Sequence, residues 1–72
     1  MTGPTIRPRE LTVREVEVLQ HLAHGRSNEE TARALFLSVE TIKTYVRHVL
    51  EKLDAKNRTH AVAIALRRGL IT

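Results

Sequence analysis

"SNEETARALFLSVETIKTYVRH", residues 27–48, contains two helix starts with almost no chain between one helix and the next. Ser27 and Glu30 have capping-box spacing. In that device the hydroxyl accepts the backbone N–H three residues on, and the carboxylate returns to the N–H of the cap itself. Glu29 and Glu30 also lie at the positive end of the helix dipole. The pattern predicts a short helix over about 28–36, with Ala32 and Leu35 inward and Ala32 small enough to let another helix approach closely. Leu37 and Ser38 leave no length for a loop, because Ser38 is the next cap and Leu37 and Ile42 have hydrophobic-staple spacing. Two helices joined so closely must cross steeply.

The second of that pair is predicted over 39–53. Ile42, Val46, Val49, Leu50 and Leu53 fall at i, i+4, i+7, i+8 and i+11, a helical stripe that faces a core. Lys43, Thr44, Tyr45, Arg47 and His48 lie off it.

Outward from this pair the same signals recur. Thr12 and Glu15 form a second capping box, Leu11 and Val16 a staple, and Gly25 a stop, which predicts a helix over about 13–24. Val18, Leu19, Leu22 and Ala23 are its core stripe, with Leu11 below. Beyond "DAKN", Asn57 caps a fourth helix over about 58–68, closed by Gly69. Ala61 to Leu66 are all apolar, and at about 100° per residue they cover the whole circumference. Ala61, Val62, Ala65 and Leu66 are expected to face the core. That leaves Ala63 and Ile64 on the other side with His60 and Arg67, either as a second protein surface or as tolerated surface residues. Residues 1–10, with two prolines, a glycine and no apolar period, read as a flexible leader or linker remnant, and residues 11–72 as one domain.

Seventy-two residues are close to the smallest size at which one hydrophobic core suffices, so such a domain gains from a partner. The absence of cysteine excludes disulfides and thiolate metal sites. His21 and His24 are three apart, but no third ligand is placed beside them, so no metal and no cofactor are expected. The longest apolar run, residues 61–66, is far short of a membrane span, and no signal-peptide core opens the chain. These features predict a cytoplasmic location without membrane contact. Twelve Lys and Arg against eight Asp and Glu give a formal charge of +4. The excess is local. Residues 27–40 carry three acids against one base, whereas residues 41–60 carry five bases (Lys43, Arg47, Lys52, Lys56, Arg58) against two acids.

Catalysis has little to stand on. There is no glycine-rich phosphate loop and only one aspartate, and the serines and glutamates are explained by caps and helix faces. A short helix, a tight turn and a longer helix with a basic outer face instead fit helix-turn-helix DNA recognition, where the second helix enters the major groove. Lys43, Thr44 and Arg47 lie on its first turns and on one face, so they are the expected base readers. Glu40, a turn earlier on that side, either accepts from cytosine or repels phosphate to sharpen register.

Residues 11–70 also closely resemble the LuxR-type helix-turn-helix domain of bacterial transcription regulators. The shared motifs are "LT-x-RE" from Leu11 with "VL" at 18–19, "G-x-SN-x-E" at 25–30 and "LS-x-x-T-I-K" at 37–43. "KL" at 52–53 and "NRT-x-AV" at 57–62 complete the set. The resemblance implies an all-α, four-helix domain with the third helix as recognition helix, often paired through the fourth. On that basis Lys43, Thr44 and Arg47 match positions that contact bases. Ser27, Asn28, Thr41, Tyr45, His48, Lys56 and Arg58 match positions at the DNA backbone, and Ala63, Ile64 and Arg67 fall on the dimer side. Tyr45 stands where histidine is usual, Thr31 where isoleucine is usual, and Asp54 and Ala55 where glycine and valine are common. The expected partners are double-stranded DNA on the nucleoid, a second copy of the chain and RNA polymerase. Two other readings are a region-four domain of a sigma factor, which "NRT-x-AV" argues against, and a protein-interaction module with an idle DNA face.

Overall fold

The computed structural model describes residues 10–72, so the reading of the leader lies, apart from Glu10, outside the described residues. Four helices follow in order: α1 (Val13–Ala23), α2 (Asn28–Leu35), α3 (Val39–Leu53) and α4 (Arg58–Arg67). Among the described residues there is no strand.

Each helix starts as its cap dictates. Thr12 and Ser27 make complete capping boxes, with side chains accepting from the N–H of Glu15 and Glu30 and those carboxylates accepting from the cap N–H. Ser38 and Asn57 accept from the N–H of Thr41 and His60. The ends follow one plan as well. The N–H of Arg26, Leu37, Ala55 and Leu70 donates to the carbonyl five residues back, at His21, Ala32, Leu50 and Ala65. In each case the preceding residue is left-handed: Gly25 (φ 80°), Phe36 (φ 58°), Asp54 (φ 54°) and Gly69 (φ 70°). This is the Schellman closure, which satisfies carbonyls that the helix cannot. The spacing predicts α2 through Phe36; the left-handed turn at Phe36 ends it one residue sooner. α1 and α4 likewise end one residue earlier than expected, with His24 and Arg68 as caps.

The core has two parts, and α3 joins them. Its first turns place Ile42 and Val46 against Val18 of α1 and Ala32 of α2. Its last turns place Val49 and Leu53 against Leu19 of α1, Ala61 and Ala65 of α4, and Ile71. Leu50 packs against both clusters. Adjacent residues of α1, Val18 and Leu19, thus hold opposite ends of α3, and both are fully buried. α3 is thereby held along its length, which fixes the direction of its outward face.

One expectation about α4 is corrected. Ala61 and Ala65 are buried as predicted, but Leu66 is 49% exposed, while Ile64 packs partly against the cluster of Leu19, Val49 and Leu53. The physical reason is that the inward face is centred on Ala61 and Ala65, with Val62 and Ile64 on its two flanks. Leu66 then turns outward toward the side of Ala63 and Arg67. Ile71, beyond the helix and 4% exposed, joins Ala61 and Ala65 in the core.

Candidate nucleic-acid interface

The polar face of α3 is opposite the stripe that anchors it. Lys43 and Arg47 are exposed and Thr44 is half-buried, while Ile42, Val46 and Val49 behind them are buried. Glu40 shares the face, and its carboxylate stands 3.6 Å from the Lys43 ammonium, with both side chains mostly in solvent. Such a pair is weak and easily exchanged for another anion. The Thr44 hydroxyl donates to the Glu40 carbonyl at 3.2 Å. Arg47 is exposed and pairs with no side chain among the described residues, so its guanidinium is open to a ligand.

The residues expected at the DNA backbone surround this face unevenly. The Thr41 and Ser38 hydroxyls lie 2.9 Å apart. One of the two donates to the other, leaving a single O–H available to an anion. The Ser27 hydroxyl accepts from the Glu30 N–H and keeps its own proton for an acceptor outside the helix. Asn28 is half-buried with an Oδ1 that has no hydrogen-bond partner among the described residues. Tyr45 departs most from a simple surface role, because its half-buried ring packs against the cluster of Val18, Ala32, Ile42 and Val46. His48 is half-buried on the next turn. Lys56 and Arg58 are both exposed on either side of the Asn57 cap. The Lys56 N–H donates to His60 Nδ1 at 3.0 Å, a bond that requires the ring nitrogen to be unprotonated.

The α4 positions are divided by the shift described above. Arg67 is exposed, Ala63 is half-buried, and Ile64 shares its surface with the domain core.

Two features escaped the sequence reading. Arg26, exposed beside Ser27, places its guanidinium 3.2 Å from His21 Nδ1 and adds a cation at the start of α2. Its position in "GRSN" was the available signal. The second is a buried ion pair: Lys52 Nζ lies 2.8 Å from Glu15 Oε1, tying the last turn of α3 to the first turn of α1. Burial raises the Glu15 carboxyl, but hydrogen bonds from Lys52 and from the Thr12 backbone, with the pull of the ammonium, outweigh it and hold it below the usual value. Glu30 is lowered too, first by the hydrogen bond from the Ser27 backbone. Nothing in the spacing of residues 15 and 52 foretells that they meet.

A closely joined helix pair whose longer member is pinned from behind and basic in front fits a helix-turn-helix DNA-binding domain. Residues 9–65 match the family described as bacterial regulatory proteins, luxR family. The chain is 48% identical over 60 residues to an uncharacterized transcriptional regulatory protein, YxjL, of Bacillus subtilis, covering 83% of this chain and 28% of that protein. It is 44% identical over 61 residues to the response regulator protein VraR of Staphylococcus aureus, covering 85% of this chain and 29% of that protein. Among solved structures, the transcription factor GerE superposes with a TM-score of 0.83 at 29% identity, covering 86% of this chain and 92% of that one. The response regulator ChrA of a heme-sensing two-component system gives a TM-score of 0.83 at 40% identity, covering 96% of this chain and 33% of that one. The chain therefore belongs to the luxR family of bacterial regulatory proteins, as a LuxR-type DNA-binding domain of the transcription-regulator class. It spans about a third or less of the length of the curated relatives it matches.

Proposed function

We propose that this domain binds DNA sequence-specifically by docking α3 in the major groove. Lys43, Thr44 and Arg47 meet base edges, while Ser27, Asn28, Thr41, Tyr45, His48, Lys56 and Arg58 flank them on the backbone. The observation that carries this reading is the outward face of α3, where two exposed cations stand directly opposite a buried stripe. A helix fits the major groove, and Lys and Arg hydrogen-bond guanine O6 and N7 there. Phosphate contacts position the domain and supply much of its affinity. A solved VqmA–ligand–DNA complex of a Vibrio cholerae protein, 31% identical with a TM-score of 0.79, supports the same use of the fold.

Two copies pair through Ala63, Ile64 and Arg67 of α4 on an inverted repeat, with the outward-turned Leu66 beside them. The relatives VraR and ChrA are response regulators. On this reading the domain is the effector part of such a regulator, working on the nucleoid in the cytoplasm and acting on transcription through RNA polymerase at the bound promoter.

Selection of binding sites from a random duplex library tests the reading. It predicts a converged half-site that recurs in inverted order. Recovery of no sequence preference at any salt concentration would remove the base-reading role.

A further inference from the structure

We propose that Thr44 reads the 5-methyl group of a thymine through its own methyl, not through its hydroxyl. The inference rests on α3 being the reading helix and names the chemistry that one of its residues recognises.

The Thr44 hydroxyl already has a use. Its proton goes to the carbonyl of Glu40, one turn back, at 3.2 Å. A hydroxyl has a single proton to give. With that proton committed to the helix, Thr44 cannot also donate to guanine O6 or N7 or to thymine O4. Its oxygen can still accept from a cytosine or adenine amino group, a contact that Thr44→Ser would keep and Thr44→Val would lose, whereas the γ-methyl offers an apolar contact on a side chain that is only half-buried.

Its neighbours sharpen the assignment. Lys43 precedes it, and Arg47 follows three residues later on the same face, both exposed. Both are donors suited to guanine, so a third donor beside them would add little discrimination. The only apolar group that a base pair displays in the major groove is the thymine C5-methyl. An apolar reader beside two cationic ones distinguishes the pair that neither cation selects. The same contact accepts 5-methylcytosine, which carries its methyl at the equivalent ring position.

The experiment replaces each thymine of the selected half-site, one at a time, with uracil, which lacks only the 5-methyl. Binding is measured for the wild-type domain and for Thr44→Val, Thr44→Ser, Lys43→Ala and Arg47→Ala. The expected result is one thymine per half-site whose replacement weakens wild-type binding about three- to tenfold, the worth of one buried methyl contact. Thr44→Val keeps that penalty, and Thr44→Ser abolishes it. A penalty that survives in Thr44→Ser, no penalty at any thymine, or loss of specific binding in Thr44→Val overturns the proposal. If Lys43→Ala and Arg47→Ala also leave discrimination intact, α3 does not read bases, and this proposal falls together with its premise. If they lose discrimination while uracil costs nothing, only the role of Thr44 is wrong.

Discussion

Lys52 of α3 and Glu15 of α1 form an ion pair at 2.8 Å in which the carboxylate side chain is 3% exposed and the ammonium side chain 21%. The same Glu15 oxygen accepts from the Thr12 N–H, so one carboxylate closes the cap of α1 and holds the far end of α3. Removing one partner of a buried pair leaves the other uncompensated, and here that should cost about 2–4 kcal/mol. Lys52→Met is expected to show this loss in urea denaturation. The double variant Glu15→Gln with Lys52→Met should lose less than the sum of the single changes. Additive losses would mean that the two groups do not interact in solution.

Acid should act through the same carboxylate. Glu15 and Glu30 both titrate below their ordinary value of 4.5 in the folded domain. A carboxyl depressed on folding stabilises the fold above its unfolded pKa and loses that contribution as pH falls through the folded value. Melting temperature is therefore expected to hold above about pH 5 and to fall progressively below about pH 4.5. In Glu15→Gln the fall should be shallower. An identical acid profile in that variant would place the effect on other groups.

Thr31 is fully buried on α2, and its hydroxyl has no hydrogen-bond partner among the described residues. A buried polar group left unpaired carries a desolvation cost that its apolar isostere lacks. Thr31→Val should accordingly raise stability by about 1 kcal/mol, read as a higher denaturation midpoint at unchanged slope. A loss would mean that the hydroxyl has a partner, such as a bound water.

Phe36 sits in the left-handed region with 94% of its surface exposed. Its side chain therefore gives the core almost nothing, while its backbone carries the strain of a non-glycine residue at positive φ. Phe36→Gly should stabilise the domain by about 0.5–1 kcal/mol, because relief of the left-handed penalty exceeds the entropy that glycine loses. Its effect on DNA affinity is a separate measurement and shows whether the exposed ring touches DNA.

The contrast among helix ends shows what the sequence made legible. All four starts were readable, because Thr12, Ser27, Ser38 and Asn57 are cap residues whose partners lie three positions on. Two of the four left-handed stops were readable, because they are Gly25 and Gly69; the other two fall on Phe36 and Asp54, whose side chains do not announce positive φ. The stripe of α3 was readable from its period alone. That of α4 was not, since six successive apolar residues leave the inward direction to tertiary packing, and the packing chose Ile64 over Leu66. The same limit hid the Glu15–Lys52 pair and the use of the Tyr45 ring as core, both of which depend on how helices meet.

Pairing through α4 is best tested at Ala63 and Leu66, which turn away from the core, not at Ile64, which shares in it. Ala63→Glu or Leu66→Glu is expected to weaken self-association on DNA at least tenfold while the melting temperature changes little. Ile64→Glu should lower both. Sedimentation of each variant with a two-half-site duplex and a parallel thermal melt separate the effects. Unchanged stoichiometry in the first two variants would move the interface elsewhere.

Whether the outward face of α3 reads base edges is decided by the affinity of wild type, Lys43→Ala, Arg47→Ala and Lys56→Ala for the selected site and for a scrambled duplex at one fixed ionic strength. Lys43→Ala and Arg47→Ala should each lose about 1–3 kcal/mol on the selected site and far less on the scrambled one, whereas Lys56→Ala loses equally on both. Equal losses on the two duplexes for Lys43→Ala and Arg47→Ala would contradict the account, because those side chains would then be meeting phosphate alone.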